Sequence, residues 1–226
     1  MRVLMSLMAA LLLLWGGMVA NALEPVKLGQ HTVTLTPNVK QVRRSTKLAR
    51  QALGAPLEGN YYVLVQFEAI PDAALQEKVK ERGITLYDYV GANAYYARIP
   101  VHGMRRRLKR SGIQALTRVA GEWKLDDNIA KNDIPDYAKD GDLIKVQMVV
   151  WESFREDWVR SRLASMGVQV KDFHFAEAFW SVSMSVSQAD VLKLAEEAWV
   201  KHVGLEAPPA ELYEEGTTGA STPSEE

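Results

Sequence analysis

The hydrophobic and polar positions of this chain follow the same order twice. In each half, a strand rich in β-branched and aromatic residues leads into an amphipathic helix, which ends at Gly83 in the first half and at Gly167 in the second. Two strands, a second helix and a last strand follow. The pattern therefore predicts the order β-α-β-β-α-β in residues 59–120 and again in residues 143–206.

The two halves also align with each other. Residues 83–119 match residues 167–203 at a constant offset of 84 without a gap, and seven of the 37 pairs are identical. Aromatic residues replace one another in phase with these identities, as in the pair Tyr95 and Phe179. Two copies of one folding unit produce such a pattern, so we interpret the chain as a tandem duplication.

One strand departs from this alignment. Tyr95, Ala97 and Ile99 define its apolar face in the first copy, one residue out of phase with Trp180 and Val182 in the second. Because a shift of one residue exchanges the two faces of a sheet, the alignment requires a bulge or a local error at this strand.

The element order predicts an α+β fold of two tandem ferredoxin-like sandwiches, each a four-stranded antiparallel sheet with two helices on one face. The other face of each sheet is then polar or binds a partner. Serine alternates with larger residues from Trp180 to Ser187, as in a strand with one buried face. We therefore predict that Ser181, Ser183 and Ser185 lie on a surface that binds a protein partner.

The first 22 residues have the pattern of a secretory signal peptide. One positive charge, Arg2, precedes an apolar stretch that ends at the small-x-small sequence Ala20-Asn21-Ala22. A retained membrane anchor is the alternative, but the stretch is shorter than the roughly 20 residues that a spanning helix needs. We expect removal of residues 1–22 and a secreted or periplasmic location.

Three further segments complete the organisation. Residues 23–58 are an N-terminal lead-in to which the sequence assigns no site. Residues 121–142, rich in Asp and Lys, are predicted to be a linker between the copies. Residues 207–226 contain Pro, Glu, Gly, Thr and Ser, and this composition predicts a disordered tail.

Composition restricts the partners and the chemistry. The chain has 47% hydrophobic residues and a net charge of −1, so we expect neither nucleic-acid binding nor membrane binding once the leader is removed. The basic run Arg105–Arg110 is interpreted as the solvated side of a short helix. The chain has no cysteine, which excludes disulfides, thiolate metal sites and thiol nucleophiles.

The sequence provides no catalytic, cofactor or metal site, and we predict that the chain is not an enzyme. No serine lies in a Gly-x-Ser-x-Gly setting, and no two histidines have ligand spacing. An acylphosphatase-like hydrolase of the same fold would need an arginine-bearing loop after the first strand, but Glu68-Ala69-Ile70-Pro71 has none. Aromatic residues around Tyr95 and Trp180 are expected in a core or an interface.

Several segments resemble the N-terminal regions of exported subtilisin-like serine proteases, in which one or two ferredoxin-like propeptide units precede the catalytic domain. The residues that carry the likeness in the first repeat are Gly59 to Phe67, Asp88-Tyr89, Asn93-Ala94-Tyr95 and Trp123-Lys124-Leu125. The end of the second repeat, Val200 to Pro208, is similar to the last propeptide strand and the tail that leads to the mature enzyme.

The resemblance implies a folding chaperone and inhibitor of a subtilisin-like catalytic domain, in cis or in trans. In that family the open sheet face packs on two helices of the protease, and the tail lies in the substrate cleft as an added strand. It implies a substrate-like tail here at Leu205, Glu206, Leu212 and Tyr213. The segments Asp-Ser/Thr-Gly, His-Gly-Thr and Gly-Thr-Ser-Met-Ala of the protease do not occur in the chain. The alternative is therefore an exported protein-binding scaffold with no protease partner.

Overall fold

The structure is a computed structural model that describes residues 23–176 and 179–208. The chain divides into two compact units, the first ending at Lys124 and the second beginning at Leu125. Both units combine helices with antiparallel sheets, which confirms the α+β class. Within the described residues, no helix has the length and apolar character needed to cross a bilayer. The predicted leader, residues 1–22, lies outside this part of the chain.

The first unit contains two sheets and four α-helices among its described residues. Its strands are β1 (Val26–Leu28), β2 (His31–Val33), β3 (Asn60–Phe67), β4 (Thr85–Gly91), β5 (Ala94–Pro100) and β6 (Ile113–Arg118). Its helices are α1 (Val39–Arg44), α2 (Thr46–Leu53), α3 (Ala73–Glu81) and α4 (Met104–Arg107), with a 3-10 turn at Gly121–Lys124. The main sheet has the order β4-β5-β3-β6, and β1 pairs with β2 in a separate hairpin.

One face of the main sheet packs against all four helices, whereas two were predicted. Alternate residues of β3, among them Val63 and Val65, share a hydrophobic cluster with Val79 of α3 and Leu108 beyond α4. The same cluster includes Val42 of α1, together with Ala49 and Leu53 of α2. The lead-in therefore contributes helices to the first unit's core, which local periodicity alone does not indicate.

The opposite face of the same sheet is also covered, contrary to the expectation that it would be open. Val26 and Leu28 of the β1–β2 hairpin pack with Leu35 against Leu64 of β3 and Ala115 of β6. Val26 is fully buried. Burial of an aliphatic side chain contributes roughly 1.5–3 kcal/mol, so the hairpin is held to the sheet by apolar contact. The first unit thus lacks the free sheet face that docking would require.

The second unit contains one sheet with an additional short strand. Its elements are α5 (Asp127–Lys131), a 3-10 turn (Asp136–Ala138), β7 (Lys139–Asp140), β8 (Leu143–Trp151), α6 (Glu156–Ser165), β9 (Val170–Ala176), β10 (Phe179–Val186), α7 (Gln188–Glu196) and β11 (Val200–Leu205). The sheet has the order β11-β8-β10-β9, and β7 pairs with β8. The backbone order of β8 to β11 therefore repeats that of β3 to β6.

The helices of the second unit cover one face of its sheet. Val146 and Met148 of β8 pair with Met184 and Val182 of β10, and all four side chains are buried. Val159 and Leu163 of α6 and Val191 and Leu194 of α7 complete this core on the same side.

Two features test the internal alignment. Gly83 and Gly167 each follow a helix, and both have φ near +70°. The amide of Ile84 donates to the carbonyl of Val79, and the amide of Val168 donates to the carbonyl of the corresponding residue, Leu163. The offset of 84 therefore holds at the helix ends.

The offset fails at β5 and β10. Tyr95, Ala97 and Ile99 face the helices in the first unit, and Trp180, Val182 and Met184 do so in the second, so the offset there is 85. The aligned pair Leu108 and Leu192 likewise differs, because Leu108 is buried and Leu192 is 51% exposed. The turns before β5 and β10 have the same length, whereas Gly167 to Ala176 is one residue longer than Gly83 to Gly91. This extra residue, together with the irregular pairing of β4 with β5, explains the phase conflict seen in the sequence.

Candidate docking surface

The three predicted serines lie on the face of the second sheet that points away from α6 and α7. In the strand register, Ser183 lies between Gln147 of β8 and Asp172 of β9. Ser181 lies between Val149 and His174 in the same way. The remaining members of this face are Lys145 of β8, Ser185 of β10, and His202 and Gly204 of β11. We call these residues the serine face.

The serines differ in exposure. Ser181 is 7% exposed and therefore buried, whereas Ser183 and Ser185 are half-buried. Gln147, Asp172 and His174 are exposed around them. Ser183 is short and lies in the register between the longer residues Gln147 and Asp172. Its hydroxyl is the central one of the three serines and is accessible.

One end of the serine face is occupied by the chain itself. The hydroxyl of Ser185 donates to Oδ2 of Asp140 at 2.7 Å, and Nζ of Lys171 donates to the same oxygen at 3.1 Å. The hydrogen bond from Ser185 and then the one from Lys171 hold the pKa of the Asp140 carboxyl below its usual range. Asp140 thus fixes one border of the surface and withdraws Ser185 from it.

The segment predicted as a linker is ordered where it meets this sheet. Ile129 and Ala138 are buried, and Nζ of Lys145 donates to the carbonyl of Tyr137 at 3.2 Å. Asp126 accepts at Oδ1 from the first turn of α5 and at Oδ2 from the amide of Leu205, both at 2.8 Å. Residues 125–142 therefore support the edge strand β11.

The first two residues of the predicted substrate-like tail are held to the sheet. Leu205 is the last residue of β11, and the amide of Glu206 donates to the carbonyl of Lys145 at 3.1 Å. Strand pairing thus continues to Glu206. Leu212 and Tyr213, the other two residues, lie outside the described part of the chain.

Trp180, one of the aromatic residues expected from the sequence in a core or an interface, lies in an aromatic cluster on the helix side, at the end of β9 and β10. The ring of Trp180 is 4.4 Å from that of Phe175 and 5.0 Å from that of Phe173, between centroids. The guanidinium of Arg160 lies 4.9 Å from the Phe173 ring. Phe175 is 48% exposed, and a groove of about 470 Å³ adjoins Trp180. In the sequence, the spacing Phe173-x-Phe175 indicates this cluster, because it places two aromatic rings on one face of a strand.

A metal centre has no basis in the described residues, since residues 23–176 and 179–208 contain no group of three or more His, Asp or Glu placed to hold an ion. The chemistry of the serine face is that of hydrogen bonding: hydroxyl, amide, carboxylate and imidazole groups lie on neighbouring strands. The small serines of β10 allow a partner to approach closely.

Comparison with known proteins gives one match. A family model with the description "Domain of unknown function (DUF8729)" matches residues 27–120. No curated protein and no solved structure matches the chain. The matched stretch includes the lead-in as well as β3 to β6, and these are the residues that the structure joins in one unit.

Proposed function

We propose that this chain is a non-catalytic, propeptide-like protein that binds a subtilisin-like serine protease, assists its folding and inhibits it. In this proposal both units are ferredoxin-like sandwiches. The support is the strand order: β3 and β5 are central in the first sheet, and the equivalent strands β8 and β10 are central in the second. The protein is exported by its leader and acts outside the cytoplasm.

The single observation that carries the proposal is the contrast between the two sheets. The first sheet has apolar cover on both faces, whereas the second presents the serine face opposite its helices. A flat polar face with short side chains suits docking on helices of a catalytic domain, since helix backbones approach it closely. Docking is centred on Ser183.

The residues after β11 support the inhibitory part of the proposal. Glu206 continues the pairing of β11, an edge strand of the second sheet. This position supports a mechanism in which the residues after it add a strand to the cleft of the protease. Leu205, Glu206, Leu212 and Tyr213 form the substrate-like segment in this proposal. Inhibition then lasts until the tail is cut.

The test measures inhibition and refolding of subtilisin-like proteases by the full chain, including any such protease encoded beside it. Ser183→Arg places a long cation in the centre of the serine face and is expected to raise the inhibition constant at least tenfold. Ser161→Arg, at an exposed serine of α6, is the matched control and should inhibit like the unchanged chain.

Circular dichroism and urea unfolding establish that both variants are folded. An unchanged chain that neither inhibits nor refolds any protease tested refutes the proposal. Binding of a non-protease protein that Ser183→Arg abolishes would instead support the exported scaffold, the second candidate, which the exposed ring of Phe175 also favours as an additional contact.

A further inference from the structure

The net charge of −1 is the sum of a positively charged first half and a negatively charged second half of the chain. Residues 23–124 carry 17 Lys and Arg against eight Asp and Glu, whereas residues 125–226 carry nine against 20. A chain-wide balance therefore does not describe the local field of either half. Charge asymmetry between halves is typical of proteins that meet a polyanion or a membrane.

The excess positive charge is concentrated on two segments of the first unit that contact each other, residues 39–53 with α1 and α2, and residues 101–110 with α4. Neither segment contains Asp or Glu. Their exposed cations are Lys40, Arg44, Lys47, Arg50, Arg105, Arg106, Lys109 and Arg110. We call these eight residues the basic surface.

The basic surface has no internal counter-ion. Within residues 23–176 and 179–208, none of its cations forms an ion pair. Nearby guanidinium groups donate to neutral oxygens instead: Arg43 to the carbonyl of Arg105 at 3.2 Å, and Arg105 to the hydroxyl of Thr46. Because like charges at short range repel, an anionic ligand would lower the energy of this arrangement.

Apolar side chains interrupt the cations. A groove of about 410 Å³ lies between α2 and the start of α4, with apolar walls at Ala49 and Met104. Leu48 and Val101 are 39% and 37% exposed in the same two segments. Exposed aliphatic residues among Lys and Arg form the combination with which proteins enter the headgroup region of a bilayer, since long cationic side chains reach the phosphates.

We propose that the basic surface binds an anionic phospholipid bilayer. Lys47, Arg50 and Arg105 contact lipid phosphates, and Leu48 and Val101 lie at the depth of the headgroups. A nucleic acid fits less well, because residues 39–53 and 101–110 contain no Phe, Tyr or Trp on which bases could stack, and Tyr61, which lines the groove, is only 6% exposed. This surface is separate from the serine face, so the proposal does not depend on protease binding.

The test is sedimentation of the chain without its predicted leader, residues 23–226, with sucrose-loaded vesicles at about 0.1 M salt, which leaves surface electrostatics measurable. Vesicles of phosphatidylcholine alone are compared with vesicles containing about 30% phosphatidylglycerol. Each Lys or Arg near an anionic surface strengthens binding severalfold. The quadruple variant Arg44→Gln, Lys47→Gln, Arg50→Gln, Lys109→Gln is therefore expected to bind anionic vesicles at least tenfold more weakly than the unchanged chain.

The matched control removes the same charge elsewhere: Lys78→Gln, Lys80→Gln, Lys131→Gln and Lys193→Gln, all at exposed positions. It should bind within twofold of the unchanged chain. Every variant lacks residues 1–22, because their apolar stretch would itself bind bilayers of either composition. Circular dichroism verifies folding.

A second variant tests the apolar component. Leu48→Ser combined with Val101→Ser should weaken binding about fivefold without changing its salt dependence. The proposal is overturned if the quadruple variant binds like the unchanged chain, or if neutral and anionic vesicles bind equally. Tighter binding to a 20-nucleotide single strand than to anionic vesicles at the same salt would also overturn it.

Discussion

Gln66 is a buried polar residue in the centre of the first sheet, with 1% of its surface exposed. It lies on β3 on the side covered by the β1–β2 hairpin. Its Nε2 donates to the carbonyl of Glu24 at 2.6 Å and to that of Ala92 at 2.8 Å. One amide group thus connects the chain entering β1, the turn between β4 and β5, and the central strand.

Replacing Gln66 should therefore destabilise the first unit. Gln66→Leu keeps the approximate volume but removes both hydrogen bonds, to the carbonyls of Glu24 and Ala92, which together cost about 1–3 kcal/mol of unfolding free energy. Gln51→Leu, at an exposed glutamine of α2, should change it by less than about 0.5 kcal/mol. Urea unfolding measures both values. Equal losses in the two variants would contradict this role of Gln66.

The border of the serine face should respond to pH through Asp140. Its pKa in the folded chain lies below the unfolded value, so the contact stabilises the folded state above about pH 4 and is lost as the pH falls through the folded value. Ser185→Ala removes the hydrogen bond that contributes most to this shift. A carboxyl NMR titration should then find the Asp140 midpoint raised toward its usual range.

Ser183→Ala is the control for that titration, since the hydrogen bonds that lower the Asp140 pKa come from Ser185 and Lys171. An Asp140 midpoint that stays in place in Ser185→Ala, or moves equally in both variants, would show that another group sets it.

At the scale of elements, the β1–β2 hairpin determines which sheet face is available. Val26 is fully buried against the first sheet, and its neighbour Lys27 is exposed on the same strand. Val26→Asp places a charge without a partner in an apolar contact and should cost about 3 kcal/mol or more of unfolding free energy. Lys27→Asp should cost less than about 0.5 kcal/mol. Similar urea midpoints for the two variants would mean that the hairpin leaves the sheet easily.

The sequence predicted the elements whose signals are local. The alternation from Trp180 to Ser187 defined β10 and its two faces, because side chains in a strand alternate with a period of two. Gly83 and Gly167 marked helix ends because glycine adopts positive φ without steric cost. The α+β class followed from these signals.

The remaining features depend on contacts between distant parts of the chain. The hairpin escaped prediction because Val26, Leu28 and Leu35 form no long periodic pattern, and only the distant β3 explains their burial. Within the serine face, the register of the serines was predictable. That Ser181 is buried and Ser185 is bound by Asp140 was not, because neither follows from the spacing along β10.

At the scale of the whole molecule, the separation of charge should appear in chromatography. A chain with a net charge of −1 is expected to be retained on a sulfonate cation exchanger at pH 7 and low salt, because the basic surface acts as a local cation. The quadruple glutamine variant of that surface should elute at lower salt than the control variant with substitutions elsewhere. Passage of the unchanged chain without retention would contradict this expectation.

The cover on the first sheet has a consequence for stoichiometry. A duplicated module normally has two identical binding surfaces. When both bind at once, the overall affinity is higher than that of either surface alone, an effect called avidity. Here the β1–β2 hairpin covers the corresponding sheet face in the first copy, so the proposed protease binding would use one surface per chain. Sedimentation of the protease complex should accordingly give a mass of one chain per catalytic domain, however large the excess of protease.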